Sequence, residues 1–399
     1  MKKIELLAPA GNFDCLKVAI ANGANACYLG GKNFSARAFA NNFDEETLLE
    51  AINYAHLRNV KIYVTVNTLL NELEINNAMK MVDFYYKNKV DALLVQDLGL
   101  YYLIKEKYPD FELHCSTQMH IHNIDGVKTA KKLGFKRVVV ARESTLDFIK
   151  EACKQDIEIE TFVHGAICVS YSGQCLLSSY TKNRSANKGM CAQCCRLKYK
   201  LIDEDGKQIE TDTNYLLSPK DMCLLEDIPS LIQAGVSSLK IEGRMRSPYY
   251  LATVLSSYRR IIDNYYNGTL TEEQIKLENK ILGRVSNREN STHFYERKAN
   301  LSDQYYTNRQ ELTNQDYLGI VKDYDKENKL AKLQQRNYFK VGDNVEVITP
   351  DFRIIKIKIT EIYDEKMNKI DTANQADTKI FIKTNEELPE FSMMRKTND

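Results

Sequence analysis

Five of the chain's ten cysteines, Cys168, Cys175, Cys191, Cys194 and Cys195, fall within one short stretch, and their spacing is the feature that points most directly to chemistry. The others, Cys15, Cys27, Cys115, Cys153 and Cys223, are scattered. Thiols in a reducing compartment stay unpaired, so the clustering implies a metal site or redox chemistry rather than disulfides. Four thiolates brought together from loops can hold zinc or a cubane iron-sulfur cluster, both of which favour soft sulfur ligands. Zinc ribbons commonly use two tight C-x2-4-C pairs, whereas the six residues between Cys168 and Cys175 let the ligands spread around a larger group. The fourth position is open between Cys194 and Cys195, because Cys191-Ala-Gln-Cys194 is itself a C-x-x-C. Burial as ordinary core residues is the plain alternative, and it fits poorly with cysteines set among Gly, Ser and Asn.

The same stretch is basic. From Thr161 to Ile202 there is no Asp or Glu, while Lys182, Arg184, Lys188, Arg196, Lys198 and Lys200 all occur. With 55 Lys plus Arg against 54 Asp plus Glu, the chain as a whole is no basic coat, so this local face is where a polyanion's phosphates would bind. The competing use of these cations is to offset the charge of a thiolate-bound metal. The chain has no Trp, which leaves Tyr171, Tyr180 and Tyr199 as the nearest platforms for base stacking.

Other candidates lie where β-type runs end. His164 precedes Cys168 by four residues and suits acid-base work, with a hydrogen-bonded core histidine as the alternative. His120 and His122 form a His-x-His that can place two imidazoles together, although no carboxylate pattern completes a metal site. Arg37, Arg142 and Arg244 suit the two-pronged grip of a small dicarboxylate, and ion pairs with Glu143 or Glu242 are the rival account. Glu143, Glu160 and Glu242 are then acid-base groups or Arg partners. Gly11 and Gly30 are read as serving tight turns. No His-Glu-x-x-His or Gly-x-Ser-x-Gly is present, and a Cys168–His164 dyad would compete with metal ligation.

These residues need a scaffold. At 399 residues and 43% hydrophobic content, the chain has room for two or three globular domains. Eight strand candidates alternate with amphipathic helical stretches: Ile4 to Ala8, Ala26 to Gly30, Val60 to Val66, Ala92 to Gln96, Glu112 to Ser116, Arg137 to Ala141, Ile157 to Val163 and Ser238 to Glu242. The fold class expected is α/β, a (β/α)8 TIM-like barrel over 1–285. Its cysteine-rich insertion, 165–236, lies between strands 7 and 8 over the catalytic face, and carries a hairpin turning at Glu204-Asp205-Gly206. Residues 286–314 read as a linker and 315–399 as a small C-terminal all-β barrel. The longest apolar runs fall short of the ~20 residues of a membrane span, and the start of the chain lacks the apolar core of a secretion signal. A cytoplasmic protein without membrane contact is expected.

The motifs resemble the collagenase-like peptidase family U32, whose better-understood bacterial members are RNA hydroxylases. The resemblance covers nearly the whole chain. It is carried by Leu7-Ala-Pro-Ala-Gly11, Tyr28-Leu-Gly-Gly31, Ser35-Ala-Arg37, Gln96-Asp97, Ser116-Thr-Gln118 and Arg142-Glu143, and most specifically by Glu160-Thr-Phe-Val-His-Gly165 with the cysteines that follow. Ser185-Ala-Asn187, Glu242-Gly-Arg244, Gly342-Asp343 and Met394-Arg395 extend it. The resemblance implies a [4Fe-4S] cluster on Cys168, Cys175, Cys191 and Cys195, with Cys194 as an extra thiol and zinc as the alternative metal. It further implies tRNA, or ribosomal RNA, as partner and prephenate as oxygen donor for converting wobble uridine to 5-hydroxyuridine. Gln118 joins the three arginines as a substrate contact. Ser286-Asn-Arg-Glu-Asn290 departs from the family's Asn-Arg-Gly pattern.

Overall fold

The computed structural model describes residues 3–211, 213–285, 288–306 and 316–397. They pack as two compact units. One takes in the described residues of Met1–Leu16, Ala24–Arg246 and Asn287–Glu311, the other those of Lys17–Gly23, Ser247–Ser286 and Leu312–Asp399.

The first unit is a closed parallel barrel. Its strands are β1 (Glu5–Pro9), β2 (Ala26–Gly30), β3 (Lys61–Val66), β4 (Ala92–Val95), β5 (Leu113–Cys115), β6 (Arg137–Val139), β7 (Glu158–Ala166) and β8 (Ser238–Ile241). Each pairs in parallel with the next, and β8 closes the ring by pairing both with β7, Ser238 beside Glu160, and with β1, Ser238 beside Glu5. Strands such as Ala92–Val95 are buried throughout, as expected where helices cover one face and side chains fill the other. The covering helices start at polar caps. Asn71 accepts the Leu73 and Glu74 N–H groups, and Glu74 accepts the Asn71 N–H, a reciprocal box that fixes the start of Glu72–Lys87.

β7 runs three residues past its predicted end. The short strand Asp221–Cys223 pairs antiparallel with Ala166, Gly165 and His164 and prolongs it. The hairpin is present but short, with Leu201–Ile202 beside Gln208–Ile209 and Gly206 at φ +81°. The expected linker is largely not one. Residues 307–315 and Ser286-Asn287 lie outside the described residues, but 288–306 pack within the barrel unit. There Asn290–Ser291 pairs with Asp221–Cys223, and Arg297 holds Asp303 two-pronged at 2.7 and 3.0 Å. Polar anchoring of this kind leaves no hydrophobic period to read. Among the described residues, no helix is long and apolar enough to cross a membrane.

The second unit joins the helices Pro248–Asn267 and Glu272–Leu282 to the C-terminal sheet, so the boundary expected at 285 falls before Pro248 instead. Its eight-stranded sheet is antiparallel, in the order Ile354–Lys358, Asn344–Ile348, Met393–Lys396, Tyr317–Asp325, Leu330–Gln335, Lys379–Lys383, Ile362–Tyr363, Lys369–Ile370. The all-β character is as expected; the ring closure of a barrel is not among the described pairings. A core including Leu318, Val321, Leu333, Val347 and Ile382 lies against it. Arg284 pairs with Asp316 (3.1 Å) and Glu346 (2.8 Å), and Glu346 also holds Arg395.

Candidate active site and metal centre

A cavity of about 460 Å³ opens among the loops that follow the carboxyl ends of the barrel strands, where barrel enzymes place their chemistry. Cys168, Cys175, Cys191 and Cys195 all line it. They are electrostatically close: the Cys195 pKa is raised to about 11, chiefly by desolvation, with each of the other three thiols adding to the rise and Arg196 opposing it. Cys194 is a different case. It is buried, lies off the cavity wall, accepts a hydrogen bond from Thr181 Oγ1 (3.0 Å) and shares one with Ser178 Oγ (3.7 Å). Among the described residues, no group of three or more His, Cys, Asp or Glu side chains is arranged to hold a metal ion, and the four thiols are among the residues that line the cavity.

The surroundings suit thiolates. Gln193 N–H donates to Cys191 Sγ at 3.3 Å, and the Ser178 hydroxyl approaches the same sulfur at 3.9 Å. Desolvation raises the Cys168 pKa, while Arg142 and Arg37 pull it back. A cluster of iron and sulfide would find thiol ligands, an N–H donor and neighbouring cations here, so these residues fit the group that the sequence implies.

The three predicted arginines share this cavity with the thiols, and so does Gln118. Glu242 sits among them, 3.2 Å from Arg37 Nη2 and 2.9 Å from Arg142 Nη2. Burial would raise the Glu242 pKa, but Arg37, Arg142, Arg244 and Lys240 outweigh it and hold the carboxyl at about 2. Arg244 is buried and donates to two neutral hydroxyls, Ser35 Oγ (2.7 Å) and Thr65 Oγ1 (3.2 Å). Desolvation lowers its pKa to about 10. Gly11 and Gly30 are explained by this residue rather than by turns, since a Cβ at either would collide with Arg244. Gln118 Nε2 donates to Asn67 O at 2.8 Å and fixes the loops after β3 and β5.

Three predicted catalytic groups are not on the cavity wall. Glu160 is fully buried at the other end of the strands, 3.0 Å from Arg137 and 2.7 Å from Lys240. His164 is buried near Asp221 and Arg246, and desolvation lowers its pKa to about 4. Glu143 accepts from Ser172 N (2.9 Å) and Ser172 Oγ (3.0 Å), which makes it a clasp on the cysteine loop. Beside it, the His120 and His122 rings lie 4.2 Å apart, packed against Tyr171, and His122 Nε2 is 3.8 Å from Glu143.

The basic face divides in the same way. Lys182, Lys198 and Lys200 are exposed and available to phosphates. Arg196 is buried, donating to Ser218 Oγ (3.0 Å), Ile167 O (2.9 Å) and Pro219 O, so it binds the loop together rather than meeting RNA. Lys188 pairs with Glu74, and Arg184 lies 4.4 Å over the Phe39 ring. Tyr199 is tied by its hydroxyl to Cys194 O. Sequence reading missed Ser35, Thr65, Asn67, Phe39 and Lys240, which lie on or beside the wall. Their signal was position alone, at or just beyond strand ends.

Residues 11–304 match the profile of Peptidase family U32, and residues 313–395 match that of the Peptidase family U32 C-terminal domain. The chain is similar to tRNA hydroxylation protein P1 of Bacillus subtilis, at 38% identity over 409 residues, covering 99% of this chain and 95% of that protein. It is similar to a 23S rRNA 5-hydroxycytidine synthase of Escherichia coli at 40% over 262 residues, 65% of this chain and 39% of the relative. A collagenase of Porphyromonas gingivalis matches at 32% over 378 residues, 90% of this chain and 89% of the relative.

Proposed function

The chain belongs to peptidase family U32, and on that footing we propose that it is an iron-sulfur RNA hydroxylase that converts wobble uridine of tRNA to 5-hydroxyuridine, with prephenate as oxygen donor. The observation that carries this reading is the meeting of four thiols with Arg37, Arg142, Arg244 and Gln118 around one cavity. Cys168, Cys175, Cys191 and Cys195 would hold a [4Fe-4S] cluster, which supplies one-electron chemistry when bound. The six residues between Cys168 and Cys175 suit the spread ligands of a cubane better than the tight pairs of a zinc ribbon.

The chain's own residues do the binding. Arg244, held by two neutral hydroxyls, keeps a full positive charge at the cavity wall for a carboxylate. Glu242 neutralises part of Arg37 and Arg142 and fixes their direction, so a dicarboxylate meets oriented donors rather than mobile ones. Outside the cavity, Lys182, Lys198 and Lys200 supply the phosphate contacts that position RNA. The relatives named for tRNA hydroxylation and for rRNA 5-hydroxycytidine support an RNA substrate. A Cys168–His164 dyad, the pairing considered for peptide cleavage, finds no support here, because Cys168 lines the cavity and His164 does not.

Nucleoside mass spectrometry of tRNA and ribosomal RNA from cells with and without the gene tests the reading. Loss of 5-hydroxyuridine and its derivatives from tRNA is expected. Loss of 5-hydroxycytidine from ribosomal RNA alone would move the activity to that substrate, and unchanged pools of both would contradict RNA hydroxylation.

A further inference from the structure

The cavity carries several cationic side chains, yet most of its lining is apolar, and part of that lining is open. Phe39 (53% exposed), Tyr171 (59%) and Met245 (58%) all line it, with Val169 beside them. Large apolar side chains exposed together at a cavity mark a binding surface. Tyr171 is held out by a dedicated set of contacts. The His120 and His122 rings pack at 5.5 and 5.4 Å from its ring, and its carbonyl accepts the Gln174 N–H at 3.0 Å. Next along the chain, Ser172 is clasped by Glu143. Gly173 follows at φ +76°, where a Cβ would stand 2.6 Å from Gln118 O. Glu143, His120 and His122, which the chemistry above leaves without a task, therefore act together on one exposed ring.

We propose that Tyr171 is the platform on which one extruded pyrimidine of the RNA stacks, with Phe39 and Met245 completing the apolar rim. This rests on the RNA reading given above. A base stacked inside RNA cannot bring its ring atoms to a cavity wall, so enzymes that modify bases take them out of the stack. Unpaired bases are commonly received on aromatic side chains. The volume, about 460 Å³, is that of a small-ligand site and has no room for a run of stacked nucleotides. The charge fits the same occupant. Arg184 lies over Phe39 at the rim, and the segment carrying Tyr171 has no acidic residue between Thr161 and Ile202. Glu143, His120 and His122 are positioning residues, since they reach the base only through Tyr171.

The test uses the full chain and an anticodon stem-loop RNA carrying the fluorescent pyrimidine pyrrolocytidine at the first anticodon position. Wild-type protein is expected to change the emission on binding. Tyr171→Ala keeps RNA affinity within about threefold, because phosphate contacts dominate it. It loses the emission change and hydroxylates an unmodified stem-loop about tenfold to a hundredfold more slowly in a single turnover. Tyr171→Phe, which keeps the ring, restores the emission change, and Phe39→Ala gives a smaller loss if the Tyr171→Ala protein does not fold. The platform is overturned if Tyr171→Ala retains the full change, if Tyr171→Phe loses it as completely as Ala does, or if wild type binds and hydroxylates RNA with no change at all. Wild-type protein that does not bind the stem-loop overturns the RNA reading itself, and this inference with it.

Discussion

The two ends of the barrel interior are both built on buried ions, and they are balanced in opposite ways. At the amino-terminal end, Arg137 meets Glu5 at 2.6 Å, Glu158 at 2.8 Å and Glu160 at 3.0 Å, while Lys240 meets Glu160 at 2.7 Å. Tyr63 and Ser238 hydroxyls complete the Glu5 carboxylate at 2.7 and 2.8 Å. Three carboxylates against two cations leave one negative charge in excess, and the two hydroxyls help to satisfy it. At the carboxyl end, a single carboxylate, Glu242, sits among Arg37, Arg142 and Arg244. The first arrangement is closed and holds strands together; the second has positive charge to spare and is open to a ligand. Similar residue types thus serve stability at one end and recognition at the other, and what separates them is the sign of the charge left over and whether it faces a cavity.

Substitutions at the two ends should separate these roles. Glu160→Gln removes the carboxylate shared by Arg137 and Lys240, and should cost about 3–5 kcal/mol in denaturant unfolding, as expected for breaking a buried pair. A cost below about 1 kcal/mol would show that the floor is not the anchor described. His164 gives the next effect, through pH. Burial favours its neutral form, with a pKa of about 4 in place of 6.5, so the unfolded chain takes up the proton first as pH falls. Its contribution is complete above about pH 6.5 and is lost on acidification, amounting to about 3 kcal/mol by about pH 4. Unfolding of His164→Asn at a series of pH values should show a slope shallower by that amount.

At the mouth, effects should appear in binding. Arg244→Gln should weaken protection of the fold by a dicarboxylate about tenfold, read as the shift of the melting temperature with ligand concentration from the variant's own ligand-free value, which the loss of the Ser35 and Thr65 contacts lowers. Glu242→Gln should weaken dicarboxylate binding less than Arg244→Gln does, since it releases the orientation of Arg37 and Arg142 but keeps all three cations, at a stability cost smaller than that of Glu160→Gln. Smallest is the outer face. Replacing Lys182, Lys198 and Lys200 with Ala should make the salt dependence of RNA binding shallower, its logarithmic slope falling by roughly 0.7 for each phosphate left without its lysine.

The barrel was legible because its strands are short and apolar on both faces, and because caps such as Asn71 with Glu74 mark the helix starts. The clustering of the cysteines was legible from spacing, but spacing left the fourth position open between Cys194 and Cys195, of which only Cys195 lines the cavity in the fold. The division of the charged residues was not legible. Glu160 stands on β7 and Glu242 just after β8, each within an apolar run, yet their partners, Arg137 on β6 and Arg37 after β2, come from other parts of the chain. Arg196 counts as a surface cation in sequence and is enclosed by carbonyls from Ile167 and Pro219 in the fold. Residues 288–306 lack an aliphatic period and read as a linker, while Asp303, Arg297 and Arg288 hold them by charge. Hydrophobic periodicity reports which faces pack and is blind to pairing between charges.

The most direct test is the metal content of the full chain purified without oxygen. About four irons and four acid-labile sulfides per chain are expected. Both should fall to background in Cys168→Ser and remain in Cys194→Ser, since Cys168 lines the cavity wall and Cys194 does not. Stoichiometric zinc with neither iron nor sulfide, or a cluster lost with Cys194 and kept without Cys168, would contradict the account.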